Sequence, residues 1–214
     1  MCSVARPQRY NGVWMSASYR RRIAALTEKY GGDWAVQHAH RLIRLIETIG
    51  KDLDYDPEVI WLAAHMHDWG TLPEWARDGV PHCARSCELA AEHMAKLKVP
   101  PETVARVLEA IEYHHGGADD RSVEAQLLRD ADALDGLGVV GVLREFASVP
   151  TEGSECYSIP VGYGMRGAFE RARMRLENNP RMVRLPEARR MAEERAREMR
   201  AALEGFERES FGMM

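Results

Sequence analysis

The histidines of this 214-residue chain are clustered, in the contexts QHAHR, AHMHD, VPHCA, AEHM and YHHGG. The sharpest of these pieces is His67-Asp68. Adjacent helical residues point about 100° apart. They grip one ion only at a helix end, where side chains converge. A neutral imidazole and a carboxylate together suit borderline divalent metals. Gly70 reads as the break that ends the helix and opens the ion to solvent or substrate, and Ala63 and Ala64 leave room for a facing helix. A dipeptide cannot fill a coordination sphere, so further donors are needed. His38 lies on the preceding helix beside an apolar stripe, and Asp132 lies late in the chain, in RDADALD. Together, His38, His67, Asp68 and Asp132 supply ligands of the right types from separate helices and leave positions for water and a substrate oxygen. Arg41, one turn beyond His38, is placed to reach an anion near the same ion. The competing reading makes each histidine an ordinary core or surface residue and Asp130, Asp132 and Asp135 a solvated face.

The elements that must position these residues are helical almost throughout. A polar helix over 17–30 ends at Gly31-Gly32, and Asp33 caps a helix over 34–49, where Leu42, Leu45, Ile46 and Ile49 repeat at helical spacing. Asp56-Pro57 opens a helix reaching about Trp69. Further helices are expected over 82–97, from Pro101 to about His114, from Ser122 to about Leu134, through VVGVLREF, over 165–178 and over 186–208. Residues 150–162 read as a loop. No segment reads as a strand, so the expected fold is an all-α bundle with its site between facing helices. Residues 1–32 form an N-terminal helical extension, 33–150 the metal-binding core, and 151–214 C-terminal helices packing on that core within a single structural domain.

A net charge of -4 argues against a duplex nucleic acid surface. No apolar run approaches the roughly 20 residues needed to span a bilayer, and the N-terminus has no secretory pattern, which points to the cytoplasm. Cys2, Cys83, Cys87 and Cys156 lack paired CxxC spacing, so Cys83 and Cys87 read as small helix residues rather than zinc ligands. The last helix carries an alternating-charge face, read as solvated, with a homodimer contact as the alternative.

The ordered set resembles the HD superfamily of metal-dependent phosphohydrolases. HAHRLIRL is similar to its first His-x-x-Arg motif, AAHMHDWG to its His-Asp signature, and EAQLLRDADALDGLG to its late Asp motif. The late motif and the tail AEERAREMRAALEGF resemble the bacterial branch containing YpgQ and YedJ. The resemblance spans about residues 34–206 and implies an HD-domain helical bundle. It implies His38, His67, Asp68 and Asp132 as metal ligands, with Asp132 preferred over Asp130 on the Ala-Asp-x-Leu step. It makes Asp68 catalytic through the metal it holds. The cofactor is a divalent ion (Mn, Fe, Co, Ni, Zn or Mg), one or two per chain. PHCARSCELAAEHM and IEYHHGG are similar to segments that supply further ligands in dinuclear relatives, so His82 and His114 are candidates for a second metal or for phosphate binding. His40, His65 and His93 read as structural or surface residues, and His115 as a substitute for His114. Where many relatives carry Lys or Glu just after the His-Asp pair, this chain has Thr71 and Leu72. That leaves Glu74 and Asp78 as loop candidates for an acid or base.

The implied reaction is hydrolysis of a phosphoester or phosphoanhydride, most naturally of a nucleotide, by metal-activated water, with Arg41 offsetting charge. Two rivals are a dinuclear-iron oxygenase, as in myo-inositol oxygenase, and a non-catalytic nucleotide-binding module.

Overall fold

The computed structural model describes residues 17–147 and 164–212. The loop expected over 150–162, together with Cys2 and Cys156, lies outside the described residues. All regular structure among the described residues is helical. Helix α1 spans Ala17–Ile49 and is divided at Gly32, whose φ of 61° and ψ of -168° take the chain out of the helix where Gly31-Gly32 predicts a break. Helix α2, Pro57–Met66, begins on Asp56, whose carboxylate accepts from the Glu58 amide at 2.9 Å, with Pro57 in the first turn. A short 3-10 turn, Trp69–Thr71, follows. The remaining helices are α3 His82–Lys96, α4 Pro101–Tyr113, α5 Val123–Asp135, α6 Gly138–Ala147, α7 Gly164–Met182 and α8 Pro186–Glu209. No described helix is long and apolar enough to cross a membrane.

Helix α5 is central, packed against α1, α2, α4, α6, α7 and α8. Leu42 and Ile46 of α1, Leu62 and Met66 of α2, and Leu127 and Leu128 of α5 are fully buried. Each such side chain contributes about 1.5–3 kcal/mol of transfer free energy. The same apolar cluster takes in Tyr19 and Ile23 near the start of the described chain and Phe169, Met199 and Leu203 near its end.

Two expectations change. Helix α7 does not stop at Asn178-Asn179-Pro180 but runs to Met182. Pro180 falls in its last turn, with only two helical residues beyond it, and the buried Asn179 Nδ2 anchors that turn by donating to the Ala133 carbonyl at 2.9 Å. Helix α2 ends at Met66 rather than Trp69, and Gly70 is buried, not an opening to solvent. A Cβ on Gly70 would lie 2.3 Å from the His82 carbonyl oxygen and 2.9 Å from the Ser86 nitrogen. The Gly70 amide donates to Ser86 Oγ at 2.8 Å. This glycine therefore lets α3 dock against the turn after α2. The Trp69 indole donates to Thr27 Oγ1 at 3.1 Å, tying the same turn to α1.

Candidate metal centre

His67 and Asp68 stand just past the last turn of α2, with Asp68 at φ -101° and ψ 8°, outside the helical region. That backbone turn brings two neighbouring side chains together, so that His67 Nε2 and Asp68 Oδ2 are 3.4 Å apart. His38 on α1 places Nε2 3.2 Å from His67 Nε2 and 3.8 Å from Asp68 Oδ2. Asp132 on α5 places Oδ1 3.4 Å from His38 Nε2. Tetrahedral bonds of about 2.0–2.2 Å space the donors about 3.3–3.6 Å apart. These side chains thus have the types and separations that one divalent ion requires.

The tautomers agree with that fit. His67 Nδ1 donates to the Ala64 carbonyl at 3.1 Å and His114 Nδ1 to the Ile111 carbonyl at 2.6 Å, while His38 Nδ1 meets Asp135 Oδ2 at 2.8 Å. With the protons on Nδ1, the Nε2 lone pairs of His38 and His67 face each other in the interior, which calls for a cation between them. Burial alone would lower the His67 pKa, but the Asp68 and Asp132 carboxylates outweigh it and raise it. In the same way burial opposes ionisation of Asp68 and Asp132, yet the surrounding imidazoles hold both carboxyls well below the usual range. The pocket is built for a positive charge.

His114 is fully buried, and its Nε2 has no hydrogen-bond partner among the described residues. It lies 3.8 Å from Asp68 Oδ1. Donor atoms of His67, His114 and Asp132 lie within 4.8 Å of one another, and so do those of His82, Cys83, His114 and His115. His114 therefore joins the first cluster to a second one at the start of α3. Cys83 Sγ is 3.4 Å from His82 Nε2, so the thiol read from sequence as a plain helix residue stands among these donors. Burial, then the neighbouring His67 and His115, pushes the His114 pKa down to about 3, and burial also lowers that of His82. Neutral imidazoles carry the lone pair that metal ligation uses.

The acidic run RDADALD divides by helical face. Asp130 is fully buried and accepts from Arg129 and from the backbone amides of Arg184 and Leu185, at 3.0 and 2.7 Å, where α8 begins. Asp132 alone faces His38 Nε2. Asp135, a residue to which the sequence reading gives no role in the site, is buried behind His38, so the run is not a solvated face. It accepts from Arg41 Nε at 2.7 Å and Arg41 NH2 at 2.9 Å, and from Arg144 NH1 at 2.6 Å. Burial would raise the Asp135 pKa, but hydrogen bonds from His38 and Arg41 and the charge of Arg144 hold it low. The signal for Asp135 lies in its spacing: three residues beyond Asp132, it sits one turn along the same face. Arg41, expected to contact an anion beside the ion, forks onto this carboxylate and keeps 31% of its side chain exposed.

The other candidates lie apart. Glu74 and Asp78 are exposed and belong to neither donor cluster. His65 is buried and stacked on Trp61 at 3.8 Å, His40 meets the edge of His65, and His93 packs against Trp69. His115 is exposed, with its ring 4.8 Å from His82.

The family model for the HD domain matches residues 35–137, a span that contains every one of these donors. Among solved structures, the chain is similar to Bacillus subtilis YpgQ, with 24% identity over 90% of this chain and 95% of that one and a TM-score of 0.64. YpgQ in complex with ADP matches with 24% identity over the same shares of the two chains and a TM-score of 0.63. An HD-superfamily hydrolase from Bacillus thuringiensis matches with 21% identity over 92% of this chain and 98% of that one, at a TM-score of 0.62.

Proposed function

The chain belongs to the HD superfamily through the domain at residues 35–137, and from that premise we propose that it is a metal-dependent phosphohydrolase acting on a phosphoester or phosphoanhydride. The observation that carries the reading is the gathering of His38, His67 and Asp68 donor atoms within 4.8 Å of one another, with Asp132 Oδ1 3.4 Å from His38 Nε2. A divalent ion held there supplies Lewis acidity and an activated water. The chain's own part is to orient the imidazoles, through Ala64 O for His67 and Asp135 for His38, and to present the Asp68 and Asp132 carboxylates ionised. The Asp68 side chain is 37% exposed, so the cluster has an open side. A phosphorylated nucleotide is the proposed substrate class, supported by the ADP complex of YpgQ.

A second ion is proposed beside the first, between Asp68 Oδ1, His114 and His82. Its support is the buried, unpartnered Nε2 of His114. A dinuclear-iron oxygenase would use the same donors, so metal analysis separates the readings.

The deciding experiment strips the protein with a chelator, adds back Mn, Co, Ni, Zn, Mg or Fe one at a time, and screens nucleoside mono-, di- and triphosphates for phosphate or pyrophosphate release. Restoration of hydrolysis by a divalent ion is expected. Full activity of the stripped protein would refute the reading, and dioxygen consumption restored by iron alone would replace it with the oxygenase.

A further inference from the structure

A groove lies between α1 and α8 on the far side of His38 from the donor cluster. Arg41, Arg44 and Arg195 stand around it, and Leu45, Val140 and Met191 give it apolar walls. Among the described residues Asp135 is the single carboxylate lining it, and that carboxylate already serves His38, Arg41 and Arg144. Arg44 is neutralised by Glu47 in an exposed pair, an arrangement worth little. Arg195 is different. It is half-buried, donates from NH1 to the Leu134 carbonyl at 2.7 Å, and has no carboxylate within ion-pair distance among the described residues. Asp135 and Glu198 act on it only at longer range, and burial lowers its pKa. A half-buried guanidinium with one protein acceptor keeps N–H donors available to an anion that enters the groove. Among the described residues that line the groove, Arg41, Arg44 and Arg195 thus outnumber the one carboxylate, Asp135, and the groove carries an excess of positive charge.

We propose that this groove is a binding site for a phosphate group, separate from the metal centre, with Arg195 as its principal anchor and its apolar walls able to take a ring attached to that phosphate. Guanidinium is suited to the task, since its planar fork matches phosphate oxygens. The inference does not rest on the hydrolase reading, because the groove contains none of the metal ligands.

The test is isothermal titration of the chelator-treated, full-length protein with inorganic phosphate and, separately, with ADP. Saturable binding is expected. Arg195→Gln should weaken it about tenfold or more, as loss of a charge-assisted contact does. Arg190→Gln, on the same helix but in an exposed pair with Glu187 and Glu194, should leave it unchanged. Val140→Glu, at a position 38% exposed, places a carboxylate at the groove wall without disturbing the core and should abolish binding. ADP binding more tightly than phosphate would identify a nucleotide as the source of the group, and equal affinities would identify free phosphate. The proposal is overturned by an absence of saturable binding up to about 10 mM, by binding that survives both Arg195→Gln and Val140→Glu, or by binding that is lost in His67→Ala instead.

Discussion

Replacing Asp135 by Asn is the sharpest test of how the fold prepares the metal ligands. Asp135 Oδ2 meets His38 Nδ1 at 2.8 Å, and its two oxygens also take bonds from Arg41 and Arg144. Asn keeps one acceptor oxygen and turns the other into a donor, which cannot accept from His38 while the remaining oxygen serves an arginine. His38 then loses the partner that fixes its tautomer and strengthens its Nε2 as a donor. Losing such an outer partner costs about 10–100-fold in metal affinity, or about 1.4–2.7 kcal/mol. Removing a buried charge from its partners costs about 3–5 kcal/mol of stability. The lower end is expected here, because the Arg41 side chain is 31% exposed and can turn toward water. That loss is survivable for a domain with roughly 5–15 kcal/mol in hand. The assay is zinc titration against a competing chelator, with helical content followed by circular dichroism. Arg144→Gln is the control: it should cost stability but leave the His38 link and change zinc affinity less than tenfold. A folded Asp135→Asn protein that binds zinc within about twofold of wild type would refute the positioning argument.

Four further outcomes are expected. Asp68→Ala should lose metal and hydrolysis together while keeping its helical content, since Asp68 stands past the last turn of α2; unchanged metal content would sink the ligand assignment. His114→Ala should cut turnover but leave the ion at His38, His67, Asp68 and Asp132 in place, read by metal content per chain, and loss of all metal would show that the primary set is misassigned. Gly70→Ala should destabilise the chain by about 1–3 kcal/mol, as overpacking does, because its Cβ would press on the backbone of α3; a melting temperature equal to wild type would contradict the close approach. Burial, helped by Glu112, pushes the Cys87 thiol up to about 11. Its thiolate fraction should therefore rise about tenfold per pH unit from 8 to 10, and site-resolved alkylation should follow, starting far slower than an unperturbed thiol of pKa about 8.5; a rate already level at pH 9 would refute this.

Much of the architecture is legible from local chemistry, because helix breaks and caps are set by neighbours in sequence. Gly31-Gly32 divides α1, Asp56-Pro57 opens α2, and the apolar stripe Leu42, Leu45, Ile46 and Ile49 is the face that α1 buries. The residue types of the centre are legible as well, since His38, His67-Asp68 and Asp132 combine donors that one ion can use. What the sequence could not determine is which face each helix turns to which partner. Asp130, Asp132 and Asp135 look alike in RDADALD, yet one caps the start of α8, one faces the metal ligands and one sits behind His38. Arg41 reads as a substrate contact, and its pairing with Asp135 emerges only when α5 brings that carboxylate within reach of its guanidinium. Gly70 reads as a helix stop until α3 packs on it, and the thiol of Cys83 becomes a neighbour of His114 and His115 only through that packing. In each case the deciding contact joins residues far apart in sequence, so its partner was set by how the helices pack and not by the spacing within any one of them.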